Sequence, residues 1–129
     1  MTHMFSMTCL GTSRRFLFIG SIISYRYSDV NPLHADPEMA AAAGFNRPIL
    51  HGLCSFGYAG RAVLRACGGD GRALKHISVR MSKSVLPGDT LVTEVWRDGA
   101  QVWFRTTNER NGDVVLSNGT AAVTGTAAL

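Results

Sequence analysis

The chain has 129 residues, enough for one hydrophobic core and too few for two. Its 46% hydrophobic and 17% charged residues exclude a disordered chain, and no apolar run approaches the roughly 20 residues of a membrane span. The net charge of +4 comes without a dense Lys/Arg run, so it gives no specific sign of nucleic-acid binding and suits a phosphate-bearing small molecule equally well.

In chain order, residues 1–24 form an atypical lead-in. Ser13-Arg14-Arg15 followed by FLFIGSII has the outline of a secretory leader, but the apolar run is only eight residues, Phe16 to Ile23. No small-x-small cleavage site follows it before Tyr25. The expectation is a frayed start leading into a short buried element. Asp29 to Pro32 reads as a turn, since Asn-Pro favours turn initiation. Asp36-Pro37-Glu38 reads as a helix start, with Asp36 as N-cap and Pro37 at the first position, and Gly44 ends that helix. A second helix follows Pro48, with Leu53, Phe56, Gly60, Val63, Leu64 and Cys67 at three- and four-residue steps, stopped by Gly68-Gly69.

Beyond residue 72 the character changes. Residues 76–85, 90–97, 101–110 and 114–124 are strand-like, rich in β-branched and aromatic side chains. Pro87-Gly88-Asp89, Asp98-Gly99 and Asn111-Gly112-Asp113 break them as turns. A helical half followed by an antiparallel meander is α+β, with one helix packed across a curved sheet. Cys9, Cys54 and Cys67 are odd in number and stand at no metal or redox spacing, which points to a reducing intracellular compartment.

The chemistry-bearing residues concentrate between 25 and 53. Asp29 and His34 lie five positions apart around the Asn-Pro turn, and His51-Gly52 opens the long apolar helix. An acid, an amide (Asn31) and an imidazole on one short loop suit proton transfer beside a carbonyl. Gly52 stands where helix N–H groups are unpaired and the dipole is positive. Structural alternatives stand beside each of these roles. Asp29 and Asn31 could cap a turn, His34 could be satisfied by a backbone carbonyl, Gly52 could be a packing glycine, and His51 suits a structural bond to the site loop. His34, Asp36, His51 and Cys54 fit no zinc spacing, and Cys54 suits a small buried hydrophobe.

The string Tyr25-Arg26, Ser28-Asp29-Val30-Asn31-Pro32-Leu33-His34, then Ala43-Gly44-Phe45 and Pro48-Ile49-Leu50-His51-Gly52-Leu53-Cys54, resembles the MaoC-like hydratases, in particular the R-specific type 2 enoyl-CoA hydratases. Arg80, Lys83, Pro87-Gly88-Asp89-Thr90-Leu91 and Glu94-Val95-Trp96 extend the resemblance, which covers about residues 25–124. It implies a hot-dog fold over residues 25–129: a long central helix wrapped by an antiparallel sheet. It also implies cofactor-free hydration of a trans-2-enoyl-CoA to a (3R)-3-hydroxyacyl-CoA, in fatty-acid metabolism. By the same likeness Asp29 and His34 are catalytic with Asn31 at their side, and Gly52 binds the oxyanion. His51, Arg80 and Lys83 are further candidates for substrate binding. Arg80 and Lys83 would meet the CoA phosphates, or else belong to a solvated strand face.

The sequence departs from the family pattern in four places. Ser28 is followed directly by Asp29, where a Gly usually intervenes, and Ser84 stands where Pro is common. Residues before Tyr25 do not match the usual lead-in, and the chain holds one hot-dog unit where eukaryotic hydratases of this type carry two. A lone unit implies a homodimer or a hot-dog heterodimer, with no nucleic acid and no membrane among the partners. A related dehydratase and a non-catalytic acyl-CoA-binding subunit are the alternative functions. The C-terminal Thr126-Ala127-Ala128-Leu129 is unlike a Ser-Lys-Leu address, which favours the cytoplasm over the peroxisome.

Overall fold

Local signals build the helices where the sequence places them. In the computed structural model, which describes residues 8–16 (through their backbone) and 30–124, Asp36 caps α1 (Pro37–Ala42), accepting from the N–H groups of Glu38 at 2.8 Å and Met39 at 3.5 Å. The single long helix α2 spans Gly52–Ala66 and ends at Cys67. Between them, residues 45–51 run without helix or strand, tied by Ile49 N–H to Leu33 O at 3.3 Å and Leu50 N–H to Val85 O at 2.7 Å.

Among the described residues, five strands form one antiparallel sheet in the order β1-β3-β4-β5-β2. They are β1 Thr8–Phe16, β2 Leu74–Met81, β3 Thr90–Asp98, β4 Gln101–Asn108 and β5 Val114–Val123. The last three make the expected meander. β2 reaches β5 instead of its sequence neighbour, and β1 closes the far edge on β3. All five strands contact α2, so the sheet wraps the helix as a hot-dog arrangement requires. β1 is the strand that periodicity does not reveal. Its pairing with β3 spans most of the chain, and a register shift between Cys9 and Gly11 interrupts any clean alternation. The expected apolar element, past Phe16, and the Tyr25–Asp29 stretch lie outside the described residues.

Alternation in β3 and β4 holds closely. Leu91, Thr93, Val95, Val102, Phe104 and Thr106 are buried, whereas their neighbours face outward. The inward hydroxyls of Thr93 and Thr106 satisfy each other at 2.9 Å across the ladder. The buried face of α2 differs from the expected stripe. Ser55, Ala59, Ala62 and Val63 meet the sheet, and Leu53 is 62% exposed. The sheet already brings Leu91, Phe104 and Leu116 to the interface, so small helix residues give the closer packing.

Gly119 in β5 lies opposite Phe104, and a Cβ there would sit 2.4 Å from Phe104 O and 2.7 Å from its ring. Since the nearest atom is backbone, Gly119→Ala is expected to cost about 1–3 kcal/mol. Thermal melts check this; an unchanged Tm would show that the bulged strand yields freely.

Candidate active site

The loop carrying His34 is built by local polar chemistry. Asn31 caps the 3-10 turn Pro32–His34, its Oδ1 accepting from Leu33 N–H at 3.1 Å. Pro32 O then accepts from Ala35 N–H at 3.0 Å and Asp36 N–H at 2.7 Å, which hands the chain directly to α1. The turn-capping alternative for Asn31 is therefore realised by its oxygen. His34 is buried by this turn, and its Nδ1 lies 3.0 Å from Ile49 O. A carbonyl only accepts, so the proton of the neutral ring is on Nδ1. Nε2 is left with its lone pair, the form needed to take a proton. The carbonyl-satisfied reading of His34 and the general-base reading thus describe the same arrangement.

His51 caps α2 with its imidazole, Nδ1 accepting from Leu53 N–H at 3.1 Å, and its ring lies 4.8 Å from that of His34, tilted by 49°. Histidine is not a common N-cap, which is why the sequence shows no cap at this helix start. His51 O accepts from Cys54 N–H at 3.0 Å, and Gly52 N–H has no acceptor among the described residues. That N–H stands at the positive end of a 15-residue helix. A Cβ on Gly52 would lie 2.5 Å from Met81 Sδ, so the glycine also makes room for a thioether.

His34 and Gly52 line one cavity of about 320 Å³. Met81, Ser82, Lys83, Ser84 and Val85, from the end of β2 and the following loop, also line it, as does Leu116. Ile49, Leu50 and Ser55 complete it. The structure therefore brings His34, Gly52 and Lys83 together and sets His51 against His34. Arg80 is exposed on the edge strand β2 and is not part of the lining. Asp29, and with it the shortened Ser28-Asp29 junction, lies outside the described residues. Met81, Ser55 and the carbonyl of Ile49 were not read from the sequence. A carbonyl has no sequence signature, and Met81 becomes a site residue only through the placement of β2 beside the start of α2.

Burial raises the thiol pKa of Cys54, and it raises that of Cys67 against the lowering charge of Arg97, so both stay protonated and poorly nucleophilic. Among the described residues, no three His, Cys, Asp or Glu side chains are grouped so as to hold a metal ion, and no helix is long and apolar enough to cross a membrane.

Comparison with known proteins agrees with the fold. The family described as "MaoC like domain" matches residues 13–119. The chain is 51% identical over 96 residues to the peroxisomal multifunctional enzyme type 2 of Mus musculus, a match covering 73% of this chain and 13% of that protein. It is 52% identical over 94 residues to the peroxisomal enoyl-CoA hydratase 2 of Arabidopsis thaliana, covering 70% of this chain and 30% of that one. The crystal structure of a MaoC-like dehydratase from Phytophthora capsici superposes with a TM-score of 0.86 at 37% identity, covering 91% of this chain and 42% of that chain. The chain thus spans less than a third of either curated relative.

Proposed function

Since the chain belongs to the MaoC-like domain family, we propose that it is an R-specific enoyl-CoA hydratase, a hydro-lyase of fatty-acid metabolism. It would add water to a trans-2-enoyl-CoA, the hydroxyl going to C3 and a proton to C2, to give a (3R)-3-hydroxyacyl-CoA. The observation that carries this reading is one cavity lined by His34, whose Nδ1 is engaged by Ile49 O, and by Gly52, whose helix N–H has no acceptor among the described residues.

The chemistry follows from those two groups. His34 Nε2 and the carboxylate of Asp29 would hold the attacking water and move its proton, with Asn31 beside them. As the hydroxyl bonds to C3, negative charge develops on the thioester oxygen. Gly52 N–H, reinforced by the α2 dipole, would donate to that oxygen, a contribution of about 3–4 kcal/mol to barrier lowering. The addition exchanges no electrons, so the reaction itself requires no redox cofactor. Lys83 on the cavity wall suits an anionic CoA substituent, and Arg80 on the neighbouring strand would act only outside the cavity. Residues 25–129 are the proposed site-bearing unit, to which the lead-in adds β1.

A second chain fits the surface. Among the described residues β2 is an edge of the sheet, and Leu53 is 62% exposed on α2. The partner would be a second copy or another hot-dog chain. A peroxisomal location is favoured by the names of the relatives. One observation favours a non-catalytic acyl-CoA-binding subunit, the missing Gly before Asp29.

Crotonyl-CoA hydration, followed by loss of enoyl-thioester absorbance with chiral analysis of the product, decides between them. (3R)-Hydroxybutyryl-CoA is the expected product. No turnover on crotonyl-CoA or on longer enoyl chains by folded, dimeric protein would overturn the hydratase reading.

A further inference from the structure

We propose that Met81 is a specificity-determining residue of this site, a movable wall over Gly52 whose volume decides which substituents at C2 of the acyl chain are admitted. The inference rests on the hydratase reading above and deepens it.

The geometry is specific. The thioether occupies the space that a side chain on Gly52 would take, with Sδ 2.5 Å and Cε 3.2 Å from the position of a Cβ there. Met81 lines the same cavity as His34, and its side chain is 49% exposed, so one flank faces the site and the other faces water. A thioester carbonyl that approaches Gly52 from its Cβ side would meet this side chain. C2 is bonded to the carbonyl carbon, so a group on C2 lies three bonds from the thioester oxygen that Gly52 would hold.

The strand beneath Met81 cannot easily give way. Met81 pairs with Leu116, which is buried and lines the same cavity. The next residue is pinned twice, through Ser82 N–H to Val115 O at 2.9 Å and between the hydroxyls of Ser82 and Ser117 at 2.6 Å. Movement is therefore left to the side chain. Methionine suits it, being unbranched, with three rotatable bonds and a polarisable sulfur that tolerates changing contacts. A β-branched residue of similar size would be stiff at χ1 and would hold its volume over Gly52.

The test compares kcat/KM for crotonyl-CoA, with hydrogen at C2, and for trans-2-methylbut-2-enoyl-CoA, with a methyl there. A single methyl group in a shaped pocket is typically worth roughly 10–200-fold. Met81→Ala is expected to raise the branched-to-unbranched ratio at least about 10-fold. Met81→Ile is expected to lower kcat/KM for both substrates by roughly 10-fold. Met81→Leu, close in volume and free at Cβ, should keep the wild-type ratio. A wild-type ratio in the Ala variant together with wild-type kcat/KM in the Ile variant, with crotonyl-CoA still hydrated, would overturn the role of Met81 and leave the hydratase reading intact. A wild-type protein inactive on every enoyl-CoA would overturn both.

Discussion

Replacing His34 with alanine should lower kcat for crotonyl-CoA by roughly 10²–10⁴-fold, the span usual for loss of a positioned general base. The reason lies in the bond from Nδ1–H to Ile49 O, which presents Nε2 as the only lone pair on a buried ring. Removing the ring also leaves the Ile49 carbonyl unsatisfied, at about 1–3 kcal/mol of stability. Activity and melting must therefore be measured together, and the expected loss of rate far exceeds what partial unfolding at that cost can produce. Asp29→Asn, which keeps the side-chain shape, is expected to reduce kcat comparably. Wild-type rates in either variant would sink the proposed pair. ¹⁵N shifts of the His34 ring offer a test without turnover, since protonation at Nε2 in the neutral ring would contradict the assigned tautomer.

The largest effect on stability is expected at Asp89. This carboxylate is only 4% exposed, at the turn between β2 and β3. It accepts from Leu86 N–H at 3.0 Å, from Asn108 Nδ2 at 2.7 Å, and from Arg110 Nε at 2.9 Å and a second guanidinium nitrogen at 3.3 Å. Burial pushes its pKa up, but the bond to Arg110, the Leu86 N–H, the Asn108 amide and the guanidinium charge together hold it below the ordinary carboxylate value. Asp89→Asn is expected to cost about 2–4 kcal/mol, because it presents a donor to groups that are themselves donors. The solvent exposure of Arg110, 58%, keeps the figure below that of a fully buried pair.

The pH dependence follows from the direction of the shift. A carboxyl with a folded pKa below its unfolded value stabilises the fold fully above the unfolded value of about 3.9 and loses that contribution as pH falls through the folded one. Melts of wild type and Asp89→Asn should therefore differ most near neutrality and converge in acid below about pH 4. A difference that stays constant down to strong acid would show that packing, not charge, is what Asp89 supplies.

The parts of this protein that were legible in the sequence are those set by near neighbours. Asp36 and Pro37 start α1 because a carboxylate can reach back to the N–H groups two and three residues on, and proline needs no donor there. Val102, Phe104 and Thr106 face inward because strand side chains alternate. Asn31, His34 and Gly52 stood out because an amide and an imidazole on a turn, and a glycine at a helix start, carry their chemistry in their types and spacing. The resemblance to a family then proposed them as one site, and of the three His34 and Gly52 line one cavity.

The tertiary structure alone decided how those residues meet. His34 acquires its tautomer from a carbonyl 15 residues away, and Met81 comes to lie on Gly52 only because β2 crosses to β5 and is locked there by a contact between Ser82 and Ser117 spanning 35 residues. The turning of α2 toward Ser55 and Ala59 depended on how much volume the sheet already brought to the interface. β1 had no local mark because its partner strand β3 lies far from it in the sequence. Hydrogen bonds within a turn are dictated by residues a few steps apart, whereas these contacts arise only when loop closure and sheet register have brought distant segments together.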